Sequence, residues 1–277
     1  MFGQMRTSAL GMMAGQTMLD VTSHNVANVN TAGYRAGRTD FAELAYAGLH
    51  EVDGGAPRRG AAPVGVESAP VEFPRGHGVG NERVVLSEKS GALQSTGVPT
   101  DLAVAGAGYF PLVDFEGNPA GYTRDGSFRK DASGHLVHVS GGFLADESGE
   151  ALRLAEDRGP STLGIAPDGR VTSIEPDGTE EELGRLVLTV PRAGQRLVAG
   201  GGNTYYMVGD DGVFGPGDRL SPGEEAGEIR QGFLEGSNAD LAEEMTRLIM
   251  AQRAFGLNAR SLQTADQMFE MANHLGR

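Results

Sequence analysis

The C-terminal end of the chain carries the pattern that most constrains its fold. From Leu241 to Leu275, apolar residues recur at alternating spacings of four and three, which is typical of an amphipathic helix that packs lengthwise. As one helix this stretch is about 52 Å long at 1.5 Å per residue, which is more than a compact domain of this size needs. We therefore expect the helix to project, and its apolar stripe to need a partner.

The stripe combines apolar residues with isolated polar ones. Single polar residues in such a seam commonly fix the register between helices. Ser237 or Asn238 is the predicted N-cap of this helix, with acidic residues following in the first turns. The predicted seam residues are Leu241, Met245, Leu248, Gln252, Phe255, Ala259, Leu262, Asp266 and Phe269.

The N-terminal end carries a similar apolar spacing. Two seams of the same spacing predict that the terminal helices pair, within one molecule or between molecules. A core helix of a globular domain remains the alternative explanation for the N-terminal seam. Its members are Phe2, Met5, Ala9, Met12, Leu19 and Val26.

Three asparagines, Asn25, Asn28 and Asn30, lie where the N-terminal helix should end. Asparagine tolerates turn geometry, so a local role in ending the helix explains part of the pattern. Amides also donate and accept hydrogen bonds, which lets them fix register between subunits without burying charge. We expect this segment to be exposed in the single chain and to lie between subunits after assembly.

The region between the terminal helices has short apolar runs separated by Gly, Asp, Asn and Pro, which predicts a mainly β fold of short antiparallel strands. Hairpin turns are expected at Asp125-Gly126, at Asp131 to Gly134, and at the Pro-Asp-Gly triplets 167–169 and 176–178. The predicted organisation is a helix and asparagine turn (1–36), an extended Gly/Pro/Ala-rich connection (37–78), a β body (79–232) and a C-terminal helix (233–277).

Composition excludes several classes of function. The formal charge of −14 argues against a general affinity for nucleic acid or an anionic membrane surface. No run of residues is apolar enough for direct membrane insertion as a spanning helix, and the N-terminus lacks the pattern of a cleaved signal peptide. The absence of cysteine excludes disulfides and thiolate chemistry.

Motifs for catalysis or ligand binding are weak. Gly106 and Gly108 begin like a dinucleotide fingerprint, but the third glycine and the following helix are missing. His135 and His138 are three residues apart on a predicted strand and point to opposite faces. The aspartates of GDDGVFGPGD do not have the spacing of a calcium loop. We predict no cofactor, no metal site and no enzymatic activity.

Three blocks of the sequence closely resemble the flagellar rod and hook family of bacteria. The N-terminal block is SALGMMAGQTMLDVTSHNVANVNTAGYRAGRTDF, which contains the asparagine segment and ends its motif on Gly-Tyr-Arg. The central block joins TDLAVAGAGYFPLVD to YTRDGSFRKDASGHLVHVSGGFLAD. The C-terminal block is QGFLEGSNADLAEEMTRLIMAQRAFGLNARSLQTADQM. The three blocks have the family's order and leave out mainly residues 45–75.

This resemblance implies a structural subunit that polymerises with itself into a hollow tube, transmits torque from motor to hook and passes exported subunits. The terminal helices would form a coiled-coil tube core and the β body its outer shell. The C-terminal ending and modest length are most similar to a distal rod subunit. A proximal rod or hook-like paralogue is one alternative, and a secreted β-domain binding module dimerised by its helices is another.

The resemblance also implies partners and a location. The partners would be other rod and hook subunits, the rod-surrounding ring proteins and the flagellar export apparatus. The location would be the flagellar basal body in the cell envelope or periplasm, reached without a cleaved signal peptide.

Overall fold

The computed structural model describes residues 2–43, 79–154, 163–174, 180–209, 218–220, 222 and 226–275. The chain divides into two compact units. The first, called here the helix unit, contains Met1–Ser23, Arg38–Val84 and Met245–Arg277. The second, called here the β-body unit, contains His24–Gly37 and Val85–Glu244.

Two long helices occupy the ends of the described chain, α1 (Phe2–Ala27) and α2 (Leu241–Leu275). Asp240 is the N-cap of α2, because its Oδ1 accepts hydrogen bonds from the backbone amides of Ala242 (2.8 Å) and Glu243 (3.2 Å). The prediction of Ser237 or Asn238 as N-cap was therefore wrong. The Asn238 side chain bonds to other backbone groups of the β-body unit, which leaves Asp240 as the side chain that caps the helix.

Short strands form most of the remaining described chain, and every pairing between them for which the register is known is antiparallel. The strands are β1 (Gly37–Glu43), β2 (Val79–Leu86), β3 (Leu93–Ser95), β4 (Leu102–Ala105), β5 (Phe110–Val113), β6 (Pro119–Thr123), β7 (Phe128–Lys130), β8 (Leu136–His138), β9 (Phe143–Leu144), β10 (Leu163–Ile165), β11 (Arg170–Ile174), β12 (Glu180–Arg185), β13 (Leu188–Val190), β14 (Arg196–Gly201), β15 (Thr204–Val208), β16 (Asp218–Leu220), β17 (Glu228–Gln231) and β18 (Phe233–Glu235).

The largest sheet has seven strands in the order β14-β15-β6-β5-β9-β8-β7. A three-stranded sheet has the order β10-β11-β12, and four two-stranded sheets pair β1 with β2, β13 with β16, β17 with β4, and β18 with β3. The last two pairs join strands near residue 100 to strands that begin at residue 228 or later. An early and a late part of the β body are therefore hydrogen-bonded to each other. A mainly β fold of short antiparallel strands between terminal helices is confirmed.

The main hydrophobic core lies within the β-body unit. It is built from alternating inward residues of the short strands, including Leu102, Phe110, Phe128, Leu144 and Leu188. Phe110 and Phe128 meet edge to face, with ring centroids 5.7 Å apart. This packed core is what holds the loops of the unit in fixed positions.

The predicted turns are correct in part. Asp131 to Gly134 connects the paired strands β7 and β8, and Pro-Asp-Gly 167–169 connects β10 and β11. The predicted hairpin at Asp125-Gly126 was wrong, because β6 pairs with β5 and β15 rather than with β7. The triplet at 176–178 lies outside the described residues.

The predicted connection over 37–78 begins with a strand. Residues 37–43 form β1, which pairs with β2, so this part of the connection is regular structure. The rest of that stretch, residues 44–78, lies outside the described residues.

Candidate functional site: the asparagine segment and the terminal helices

Asn25 is buried within the chain's own fold. Its Nδ2 donates to the Gly37 carbonyl at 2.9 Å, and its Oδ1 accepts from the Gly37 amide at 2.9 Å. The Tyr34 hydroxyl donates to the same Oδ1 at 2.9 Å. The expectation that this residue is exposed in the single chain was wrong, because a turn brings the start of β1 back to the end of α1.

The other two asparagines are less enclosed. Asn28 is half-buried and ends α1 locally, since its Nδ2 donates to the His24 carbonyl at 2.9 Å. Its Oδ1 accepts from the Thr31 hydroxyl at 3.2 Å. Asn30 is exposed. The three amides thus have different environments, which their similar spacing in the sequence did not reveal.

The residues after the asparagines are bonded to distant strands of the β-body unit. The Gly33 amide donates to the Glu235 carbonyl at 2.7 Å, and the Tyr205 hydroxyl donates to the Gly33 carbonyl at 3.2 Å. Gly33 has a φ of +66°, and a Cβ there would lie 2.3 Å from the Asp125 backbone nitrogen. Only glycine fits this position. The segment His24–Gly37 is therefore a structural part of the β-body unit.

A buried ion cluster lies beneath this segment. Arg35 Nη2 is 3.0 Å from Glu235 Oε1, and Arg124 Nη1 is 2.8 Å from Glu235 Oε2, with all three side chains at most 3% exposed. The same carboxylate accepts from the Gly91 amide at 2.8 Å, and Arg35 Nη1 also donates to the Lys89 carbonyl. One carboxylate thus joins three separate stretches of the chain.

Arg124 is held on several sides. Its Nη2 donates to the Gly106 carbonyl at 2.6 Å, and its guanidinium carbon lies 5.1 Å from the centre of the Tyr109 ring. Burial lowers the pKa of the Arg124 guanidinium, and the negative charge of Glu235 offsets part of that effect. Sequence reasoning did not predict this cluster. Its only signal was that all three residues fall in the motif blocks quoted above.

The two helices meet within the helix unit through small residues. The contacts run in opposite directions along the two helices, so α1 and α2 are antiparallel where they meet. Ser8 Oγ donates to Ser261 Oγ at 3.1 Å, and a Cβ on Gly11 would lie 2.7 Å from Asn258 Nδ2. The contacting pairs are Ser8 with Ser261, Gly11 with Asn258, and Gly15 with Phe255.

The predicted seam of α2 is offset from the face that is buried. Ala251 and Ala265 are the buried residues of the central and C-terminal turns, whereas Leu241 and Met245 are about half exposed. The half-buried seam positions are Leu248, Ala259, Leu262 and Phe269, and the exposed ones are Leu241, Met245, Gln252, Phe255 and Asp266. In α1, the seam residues Met12, Leu19 and Val26 are half-buried. A coiled-coil pairing along these seams stays a prediction.

A row of large apolar side chains on α2 remains exposed in the single chain. Their exposed fractions range from 38% to 63%. Soluble monomers rarely present so many large apolar residues along one element unless it binds a partner. They are Leu241, Met245, Ile249, Met250, Phe255, Leu257 and Met271.

The described residues contain no candidate metal site. No group of three His, Asp or Glu side chains among them is placed to hold a metal ion. His138 is buried, and its Nδ1 lies 2.8 Å from Ser140 Oγ. Its Nε2 lies 3.6 Å from Asp125 Oδ2, which is a close contact rather than a hydrogen bond. Neither helix, over its described length, has a stretch apolar enough to span a bilayer.

Three family models match the chain. Residues 5–35 match the model described as flagella basal body rod protein. Residues 103–179 match the D1 domain of the flagellar hook protein FlgE/F/G, and residues 230–275 match the C-terminal model of the flagellar basal body rod FlgEFG proteins. The matches cover the asparagine segment, about half of the β body and α2.

Curated relatives match almost the whole chain. The flagellar basal-body rod protein FlgG of Borreliella burgdorferi is 33% identical, over 98% of this chain and 97% of the relative. FlgG of Bacillus subtilis is 30% identical, over 96% of each chain, and FlgG of Agrobacterium fabrum is 33% identical, over 94% of each. The chain therefore belongs to the FlgG family of flagellar basal-body rod proteins.

Proposed function

We propose that this chain is the structural subunit of the distal flagellar rod, and that it polymerises into a hollow tube transmitting torque from motor to hook. The single observation that carries the proposal is the row of exposed apolar residues on α2. Burying the exposed part of side chains such as Ile249 and Leu257, which are 51% and 63% exposed, would stabilise the assembly by about 1–2 kcal/mol each.

In this proposal the two units have different roles. The helix unit supplies the tube wall, where α1 and α2 pack against copies of themselves through the seam residues and the exposed row. The β-body unit supplies the outer shell and has its own hydrophobic core. A shell with its own core supports a rigid rod, because its stability does not depend on the contacts between subunits.

The proposed partners follow from the same arrangement. Beside copies of itself, the subunit would contact other rod and hook subunits, and its outer surface would face the surrounding ring proteins. We propose that it reaches the cell envelope through the flagellar export apparatus. The absence of cysteine from the sequence suits a protein that folds after export without disulfide formation.

Electron microscopy of the concentrated full chain tests the proposal. We expect tubes from the unmodified chain and none from Ile249→Asp, because a carboxylate in an apolar helix contact is costly to bury. Val139→Asp is the matched control, since it adds the same charge at an apolar residue of the β body that is 78% exposed. A small, closed oligomer of the unmodified chain would contradict the rod assignment and favour a dimeric binding module.

A further inference from the structure

An open cavity of about 450 Å³ lies in the β-body unit beside the start of β5. The turn 106–108 forms one side, and the loop after β13, with Arg192, forms another. Tyr109, Arg124 and Leu197 also line it. The cavity therefore combines aromatic and aliphatic surface with guanidinium groups, which is a suitable environment for an aromatic side chain that carries a carboxylate beside it.

The charge at the base of the cavity is not balanced. Arg35 and Arg124 share the single carboxylate of Glu235, so the buried cluster has a net charge of about +1 by formal counting. Arg124 is 3% exposed, and its Nε has no hydrogen-bond partner among the described residues. Glu88 and Arg192 line the cavity with opposite charges. An additional carboxylate would offset the excess positive charge.

A different surface of the same unit presents an aromatic side chain beside carboxylates. Phe115, in the turn between β5 and β6, is 87% exposed. Asp114 fixes this turn, because its Oδ1 accepts from the amides of Glu116 (2.9 Å) and Asn118 (2.8 Å). The Asn118 side chain donates to Asp114 Oδ2 at 3.1 Å. Because these hydrogen bonds already order the turn, little backbone conformational entropy is lost when Phe115 binds a partner.

The turn and the cavity complement each other in charge. Residues 114–118, Asp-Phe-Glu-Gly-Asn, contain two acidic residues and no basic one. Side-chain and backbone hydrogen bonds from Asn118 lower the pKa of Asp114, so these bonds favour its ionised form. Glu116 is the neighbouring carboxylate and is exposed. An acidic turn with an aromatic tip thus matches a cavity lined by arginine and tyrosine.

We propose that the turn 114–118 of one copy inserts Phe115 into this cavity of a second copy of the chain. The inference rests on the proposed function, because it requires copies that assemble. Tyr109 precedes β5 and Phe115 follows it, so the cavity and the turn lie at opposite ends of one strand, about 20 Å apart at 3.3 Å per residue. Such a contact joins unlike surfaces and leaves one of each free, so each copy can add a further copy, as a helical rod requires.

Cross-linking tests this contact, because the chain has no cysteine of its own. Glu116→Cys keeps Phe115 and places a thiol in the turn, and Ala193→Cys places one at the cavity. Assembled full chain carrying both changes is treated with a short bismaleimide. We expect a ladder of covalent multimers beyond the dimer. Val139→Cys with Ala193→Cys is the control and should give no ladder.

The outcomes separate the contact from the proposed function. Tubes without cross-links, or with dimers alone, overturn the contact and leave the rod function standing. Failure of the unmodified chain to form tubes overturns both. Cross-linking of the turn only to a different protein present in the basal body would also overturn the pairing with a second copy.

A second variant keeps the proposal testable if the cysteine variant does not assemble. Phe115→Ser should raise the concentration required for assembly about tenfold or more, because the apolar ring no longer fills the cavity. Val139→Ser should leave that concentration unchanged, since Val139 is exposed but lies in another turn. Equal concentrations for the two variants would overturn the proposal.

Discussion

Asn25 and Gly37 exchange two hydrogen bonds, one from the asparagine Nδ2 to the glycine carbonyl and one from the glycine amide to the asparagine Oδ1, each 2.9 Å long. The side-chain amide thus pairs with the first residue of β1 as a neighbouring strand would. It holds the end of α1 against the start of β1 and fixes the turn between them.

We predict that Asn25→Leu lowers the free energy of unfolding by about 3 kcal/mol. The substitution leaves the amide and carbonyl of Gly37 and the Tyr34 hydroxyl without this partner, at roughly 1–3 kcal/mol for each group that stays unsatisfied. Urea denaturation of the full chain measures the loss. Asn30→Leu is the control. Because Asn30 is exposed, its replacement should change the free energy of unfolding by no more than about 0.5 kcal/mol. Equal stability of the two variants would show that the amide pairing with Gly37 is not stabilising.

The asparagines show what the sequence could and could not predict. Their position at a helix end was predictable from residue type, and Asn28 does bond to the preceding helical turn. The burial of Asn25 was not predictable from the sequence, because it requires β1 to return to the end of α1. The path of the turn between them is set by Gly33 and its contacts with residues far away in the sequence. Whether any of the three also contacts a neighbouring subunit stays a prediction.

Glu235→Gln should be among the most destabilising single changes in the β-body unit. It removes the carboxylate that pairs with both Arg35 and Arg124 and leaves two buried guanidinium groups without it, at a cost of about 3–5 kcal/mol. Chemical denaturation measures the effect. Glu228→Gln on the exposed face of β17 makes the same change of side chain and should cost no more than about 0.5 kcal/mol. A similar loss for both would contradict a structural role for the cluster.

The strands could be predicted from the sequence, but this ion cluster could not, because it depends on pairing between distant residues. Turn residues and alternating apolar runs indicated a β body, because these signals act over a few residues. Arg124 and Glu235 are 111 residues apart in the sequence, and no local pattern predicts which charged side chains will form an ion pair over that distance. The face of α2 that is buried in the single chain was not predictable either, and the seam as a contact between subunits stays a prediction. Apolar spacing located α2 but not its buried face, because the small residues Ala251 and Ala265 allow close contact where larger residues do not.

Tyr34 should make the protein sensitive to alkaline pH. Burial, with a further contribution from the charge of Glu244, raises the pKa of Tyr34 from 10.0 to about 12. The folded state therefore favours the neutral phenol, which donates to Asn25 Oδ1. Since the folded pKa lies above the unfolded one, the associated stability is complete below pH 10.0 and is lost as the pH rises toward about 12.

Tyr34→Phe tests that assignment. The variant should be less stable at neutral pH, because Asn25 and His24 lose a partner, and its stability should fall less steeply between pH 10.0 and about 12. Tyr205 and Tyr109 also have raised pKa values through burial, so some alkaline decline will persist. Tyr206→Phe, which removes the hydroxyl of a half-buried residue on β15, is the control. An unchanged slope in Tyr34→Phe would exclude this phenol as a source of the decline.

Gly256 lies in the interior of α2. A Cβ added there would meet nothing within 4 Å in the single chain. Gly256→Ala should therefore stabilise the helix by about 0.5–1 kcal/mol, since glycine is less favourable than alanine in a helix interior. Gly11→Ala in α1 should stabilise its helix less, because the new Cβ would lie 2.7 Å from Asn258 Nδ2 and would displace the Asn258 side chain. Thermal unfolding followed by circular dichroism compares the two.

The same substitution should have the opposite effect on assembly. Gly256 lies in a shallow groove with Ile249 and Leu257, both about half exposed or more, and a missing side chain lets a neighbouring helix approach closely there. We expect Gly256→Ala to require a higher protein concentration to form tubes, although its single chain is more stable. Gly3→Ala, which also adds a methyl group in open space on a helix, should leave that concentration unchanged. Tubes that form equally well from both variants would place the subunit contact on a different face of α2.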